Sequence, residues 1–92
     1  MRNYELITIF NTAGGVTLDA ARQGVQDIFS AHNIKSEKEE DWGERRLHHD
    51  VDRVGNGHFV FWTLKGPPDQ MKELARELEI HQGVLRYMIR RA

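Results

Sequence analysis

The sequence predicts an α+β domain in which four strands and two helices follow one another in the order βαββαβ. Three observations carry that prediction. Segments of alternating polarity open and close the chain, two segments of helical period stand between strand-like ones, and a glycine-rich stretch separates two strand patterns in the middle.

The first strand runs from Arg2 to Phe10. Tyr4, Leu6, Thr8 and Phe10 fall on one face, and Glu5, Ile7 and Ile9 on the other, because successive strand side chains point to opposite sides. Asn11 to Gly15 reads as a loop. Thr17 is placed to cap a helix, and Asp19 lies in its first turn, where the dipole favours an anion. Leu18, Ala21, Val25, Ile28 and Phe29 recur at the helical period, which predicts one apolar stripe ending near His32 and Asn33.

From Ile34 to about Val54 no helical period appears, and the segment reads as a long twisted strand. Its most informative stretch is Asp41-Trp42-Gly43-Glu44-Arg45-Arg46-Leu47. A glycine inside a strand marks a bulge or a close backbone approach, and the adjacent Arg45 and Arg46 must serve opposite faces. The same stretch also fits an edge strand that uses charge against aggregation. Gly55-Asn56-Gly57 is expected to be a tight turn leading into a strand from His58 to Lys65, so the two strands form a hairpin. Gly66-Pro67-Pro68-Asp69 opens a second helix, with Met71, Leu74, Ala75 and Leu78 as its buried stripe. After Gly83 the last strand, Val84 to Arg91, sets Leu85, Tyr87 and Ile89 against Arg86, Met88 and Arg90.

Two right-handed βαβ crossovers put both helices on one face of a four-stranded antiparallel sheet with the terminal strands in the middle. This is the ferredoxin-like arrangement, expected here as a single domain over residues 1–92. The covered face is predicted to carry Tyr4, Leu6, Val60, Trp62, Leu64, Tyr87 and Ile89. Ile7, Ile9, Phe59, Phe61 and Met88 then lie on the open face, beside Arg86 and Arg90. An apolar patch fringed with arginine predicts a protein or nucleic-acid partner; a homodimer through the sheet is the competing reading.

Composition narrows the function classes. With 39% hydrophobic and 29% charged residues the 92-residue chain is neither disordered nor membrane-spanning in character, and without cysteine it has no disulfide or thiolate site. The opening Met1 to Glu5 leads straight into strand pattern with no apolar leader, which is read as cytoplasmic. The net charge is −1, yet the signs are sorted. Between Glu37 and Glu44 five acids, Glu37, Glu39, Glu40, Asp41 and Glu44, face only Lys38, whereas Arg86, Arg90 and Arg91 have no acidic neighbour in sequence.

No catalytic constellation emerges. His48, His49 and Asp50 are consecutive in a strand and point alternately, so they do not close around one metal ion. The remaining histidines are scattered, no nucleophile can be paired with a base and an orienting group, and Gly14-Gly15 lacks the spacing of a phosphate loop. No cofactor is expected. Gly57-His58-Phe59-Val60-Phe61 loosely resembles the aromatic strand of an RNA recognition motif, with Asn56 where that motif has a basic residue.

Five segments carry a more specific likeness: Met1-Arg2-Asn3-Tyr4-Glu5-Leu6, Trp42-Gly43-Glu44-Arg45-Arg46-Leu47, Gly57-His58-Phe59, Leu74-Ala75-Arg76-Glu77-Leu78 and Val84-Leu85-Arg86-Tyr87-Met88. In this order and spacing they resemble the bacterial small-subunit ribosomal protein S-six family over essentially the whole chain. The resemblance implies a ferredoxin-like, non-enzymatic protein that joins small ribosomal protein S-eighteen and binds the central domain of 16S ribosomal RNA. It also implies RNA contacts from Arg2, Arg45, Arg46 and Arg86, which stand at matching cationic positions. Arg90 falls where relatives are often apolar, so its assignment to RNA, like that of Arg91, rests on the predicted strand. The chain departs from the family pattern at His48-His49-Asp50-Val51, where relatives have an Ala-Tyr-Pro-Ile type sequence, and many relatives continue past the position of Ala92. A homodimeric small-molecule-binding protein or enzyme that lines a pocket with the open face is the alternative.

Overall fold

The computed structural model describes residues 2–12, 16–51 and 54–92, with backbone alone at 48–51 and 54. Its elements are β1 (Arg2–Phe10), α1 (Leu18–Ala31), β2 (Lys35–Val51), β3 (Val54–Gly66), α2 (Pro68–Ile80) and β4 (Val84–Arg91). The strands form one antiparallel sheet in the order β2-β3-β1-β4, as the crossovers require. β3 and β1 are central and β2 and β4 lie at the edges, so of the two terminal strands expected in the middle only β1 is there: β4 pairs with β1 alone.

Local chemistry sets the helix ends. Thr17 is extended, and its hydroxyl accepts the Ala20 N–H at 3.2 Å, satisfying one of the amides a helix start leaves open. Asn33 closes α1 in the left-handed region at φ 59°, and the Ile34 N–H returns to the Phe29 carbonyl at 2.9 Å. Pro68 stands in the first turn of α2, where a missing N–H costs nothing.

The core lies between the sheet and both helices. Tyr4, Leu6, Thr8 and Phe10 of β1 and Val60, Trp62 and Leu64 of β3 meet Ala21, Val25 and Phe29 of α1 and Met71, Leu74 and Leu78 of α2. Trp62 is fully buried, with the Phe29 ring edge-on at 5.2 Å and 80°. Its indole N–H donates to Thr8 Oγ1 at 2.9 Å. Burying this large aromatic without an orphaned donor is thus a matter of one hydroxyl.

Two further expectations are corrected. Gly55-Asn56-Gly57 is not the hairpin turn. β3 runs through it, with Arg46 opposite Asn56, Arg45 opposite Gly57 and Val51 opposite Val54. Tolerance of positive φ permits a turn without requiring one, and Gly57 serves a different need: a Cβ there would collide with Ile9 Cγ2 and touch Leu85. Leu85 is the second correction. The register slips between Ile9 and Phe10, so that Phe10 pairs with Val84 and Ile9 with Arg86. Val84 packs on the core in its place, and Leu85 is the extra residue, turned toward Gly57.

Candidate interaction surface

The register arranges the uncovered face in rows. Across its middle, Ile7 of β1 stands between Phe61 and Met88, and Ile9 between Phe59 and Arg86. Five residues expected to meet a protein partner, Ile7, Ile9, Phe59, Phe61 and Met88, are therefore one contiguous strip. Met88 is 62% exposed, whereas the other four are half-buried by one another.

Trp42 joins the strip from β2, a residue the sequence reading left out of the partner face. Its ring stacks on Phe61 with centroids 5.4 Å apart and planes 8° from parallel. Arg45 lies over the same indole, its guanidinium carbon 5.6 Å from the ring centroid. A tryptophan beside a strand glycine was the available signal, because a bulge re-aims its neighbours. Beside this stack lies a dimple of about 140 Å³ lined by Glu5, Ile7, Trp42, Phe61, Met88 and Arg90.

The six arginines expected to contact RNA do not form one patch. Arg45 and Arg86 are exposed on the open face at the end of the sheet where β1 finishes, and Arg46 points to the helix side. Arg2 and Arg91 lie at the opposite end, level with Gly66 and Tyr4 on the helix side. The ends are separated by the length of β1, about 26 Å at ~3.3 Å per residue. Arg90 has a partner that its sequence neighbours did not reveal: its Nε donates to Glu5 across the β1–β4 ladder at 2.6 Å.

Two lysines were also missed. Lys35 and Lys65 are direct cross-strand partners, both exposed, at the same sheet end as Arg2 and Arg91. None of these four cations has an ion-pair partner among the described residues. Like charges directly opposite each other cost stability, so the end carries an uncompensated positive field. No sequence pattern announces a pair formed by residues 30 positions apart.

The helix-covered side of β2 has a polar cluster of its own. Asp41 Oδ1 accepts the Gly43 N–H at 2.8 Å and His58 Nε2–H at 2.6 Å, and Oδ2 accepts from Arg22 of α1 at 3.0 Å. Desolvation works to raise the Asp41 pKa, but the Gly43 amide and His58 outweigh it and hold the carboxyl below its ordinary value. Arg22 also grips Glu39, which accepts from Gln26 at 3.1 Å. Between the helices, His32 bridges Gln70 at 2.8 Å and Glu77 at 2.7 Å. Those two hydrogen bonds, Gln70 first, raise its pKa.

The His48-His49-Asp50 side chains lie outside the described residues. Among those described, no group of three metal-ligating side chains comes together, and no buried polar side-chain atom is left without a partner. No described helix is long and apolar enough to cross a membrane.

The chain is thus a ferredoxin-like sheet covered by helices on one face, with an apolar, cation-flanked face left open. Its sequence matches the model of the family described as "Ribosomal protein S6" over residues 3–91, and the chain belongs to that family. It is thus a ribosomal protein of the small subunit, a structural component rather than an enzyme, found with ribosomes in the cytoplasm. Among relatives, the small ribosomal subunit protein bS6 of Leptospira biflexa is 29% identical over 92 residues, spanning 100% of this chain and 98% of its own. That of Clostridium novyi is 29% identical over 90 residues, covering 97% and 95%. The crystal structure of 30S ribosomal protein S6 from Thermotoga maritima superposes with a TM-score of 0.84 at 19% identity, covering 99% of this chain and 87% of that one. The C-terminal domain of the MgtC protein from Mycobacterium tuberculosis shares the fold at a TM-score of 0.64 and 15% identity, with coverage of 100% and 88%.

Proposed function

We propose that this protein binds the central domain of 16S ribosomal RNA together with small ribosomal protein S-eighteen, taking the protein on the open face and RNA phosphates at the cationic sheet ends. The observation that carries the reading is the order of rows along the open face: Lys35 and Lys65 at one end, the Trp42, Phe61, Ile7, Met88 strip in the middle, and Arg45 with Arg86 at the other. Apolar area in the centre of a contact, with cations at its margin, is how a protein interface borders an RNA. A net charge of −1 makes RNA affinity modest for the chain alone. A basic partner seated on the strip would extend the positive surface, so the two bindings are cooperative.

The small-molecule reading is disfavoured by size. The dimple of about 140 Å³ is below the ~300–1,000 Å³ of ordinary ligand sites, although it fits one aliphatic side chain of a protein partner. The test is titration of a 16S central-domain fragment with the chain alone, S-eighteen alone, and the two together. Tighter joint binding supports the proposal. Equal RNA affinity with and without the partner, or a stable homodimer that shields Met88, refutes it.

A further inference from the structure

Arg45 reaches the open face only because β2 is bulged. If the pairing of Asp41 with Val60 continued unbroken, Arg45 would stand opposite Asn56 on the helix side, and Arg46 opposite Gly55 would take the open face. The slip between Asp41 and Gly43 places Arg45 opposite Gly57 instead, with Trp42 as the extra residue. Arg45 Nε then donates to the Trp42 carbonyl at 3.3 Å while its guanidinium covers the indole. The result is a stack in which the Trp42 ring meets both the Arg45 guanidinium and the Phe61 ring.

On the open face the Arg45–Trp42 hydrogen bond and the Trp42–Phe61 stack accompany the bulge, but Gly43 itself adds no packing to hold it. Gly43 adopts φ +80°, yet a Cβ there would meet no atom within 4 Å. Its side of the strand is open space, so glycine is required by conformation and not by packing. The restraint comes from behind. Asp41 accepts the amide of Gly43 within the bulge, and the same carboxylate is gripped by His58 of β3 and Arg22 of α1. An edge strand with a neighbour on one side has few ladder bonds with which to hold an irregularity. Here a helix and the adjacent strand supply the missing restraint through one carboxylate.

We propose that Asp41, on the helix-covered side of the sheet, is a positioning residue for the partner-binding face: by holding the Gly43 bulge it selects Arg45 over Arg46 and locks Trp42 onto Phe61. This rests on the reading of the open face as the protein-partner site. The stack presents Trp42, 38% exposed, as a rigid aromatic edge beside the dimple. A preformed anchor of that kind strengthens binding by removing an ordering cost from association. Once the latch is lost, the competent arrangement is one of several, and affinity falls by the fraction of time it is populated.

The full chain tests this with two readouts. In Asp41→Ala, nuclear magnetic resonance should show the Arg45 side-chain protons losing their upfield shift from the Trp42 ring, together with the Trp42–Phe61 ring contacts. Affinity for S-eighteen should fall about tenfold if the competent state drops to roughly a tenth of the ensemble. Asp41→Asn keeps an acceptor for the Gly43 amide and should recover most of both. In a Trp42→Ala background, Asp41→Ala should cause no further loss. Leu78→Ala, a core change away from this face, should leave affinity unchanged at temperatures where it is folded. An Arg45 shift that survives Asp41→Ala overturns the proposal, as does an equal affinity loss with and without Trp42. If the unaltered chain does not bind S-eighteen, the functional reading fails and the partner role of Asp41 with it. The resonance measurement then still decides separately whether Asp41 holds the stack.

Discussion

Replacing Thr8 with valine should reveal how the sheet register, and hence the open face, is held. Thr8 is fully buried, accepts the Trp62 indole N–H at 2.9 Å, and donates to the Val60 carbonyl at 3.4 Å. Valine has nearly the same shape, so packing is kept while the indole donor is orphaned in a dry core. Such a donor costs about 1–3 kcal/mol. For a domain of this size each kcal/mol lowers Tm by about 4–8 °C, so a mid-range loss near 2 kcal/mol predicts a fall of about 8–16 °C. Thermal unfolding followed by circular dichroism measures it. In a Trp62→Phe background no donor remains to be orphaned, and the same Thr8→Val change should cost at least about 1 kcal/mol less. The bond also runs diagonally, since Thr8 pairs with Val60 and Trp62 with Leu6. A slip of one residue would break it and carry Ile7 and Phe61 off the open face. A loss below about 0.5 kcal/mol, within the range of a neutral surface change, or one identical in both backgrounds, refutes this account of the core.

Lys35→Ala with Lys65→Ala should weaken RNA binding by the assembled pair and flatten its salt dependence by roughly one to two units, while removing a like-charge pair and so leaving stability unchanged or slightly raised; filter binding across a salt series and a melt of the same sample check both. Arg86→Ala should cost more RNA affinity than Arg90→Ala in that assay, because Glu5 already neutralises Arg90; equal losses would mean the ion pair opens on binding. His32 has a raised pKa in the folded chain, so its contribution is fully present below the ordinary imidazole pKa and disappears as pH rises through the raised value. Tm measured from pH 5.5 to 8.5 should therefore lose this increment toward the alkaline side, and His32→Gln should flatten that part of the profile. Asp41 works in the opposite sense: its lowered pKa gives stability that is present above the ordinary carboxylate pKa and lost as pH falls through the folded value.

How much of this was legible followed from how local each signal is. Alternation along β1 assigned Ile7 and Ile9 to the open face, and the same period placed Phe61 out and Trp62 in. Thr17 and Pro68 announced the helix starts because capping is a matter of a few adjacent residues. Contacts closed by the sheet were invisible. Glu5 and Arg90 are 85 positions apart, and Lys35 faces Lys65 only once β2 and β3 pair. Gly57 misled for a related reason: its lack of a side chain makes room for Ile9, a neighbour from another strand, while the local pattern suggested a turn.

The edge strand shows why alternation alone fails where charge is densest. On β2 the open-face positions are odd at Lys35, even at Lys38 and Glu40, and odd again at Gly43 and Arg45, because the register slips once between Ser36 and Lys38 and again between Asp41 and Gly43. Each slip reverses the parity, so the two cancel between Lys35 and Arg45 and hide from any analysis that compares only those positions. An edge strand accepts such irregularities because one of its sides has no ladder to keep. The consequence is a sorting of charge that the linear order conceals. Glu39 and Asp41 are turned toward Arg22, where they anchor the strand to α1, and Arg45 is turned outward over Trp42. Without the second slip Arg45 would face the helix side, where Asp41 stands, and Glu44 and Arg46 would project on the open face instead. The acid run and the arginine pair therefore belong to one device, in which the carboxylates behind the sheet determine which cation is presented in front of it.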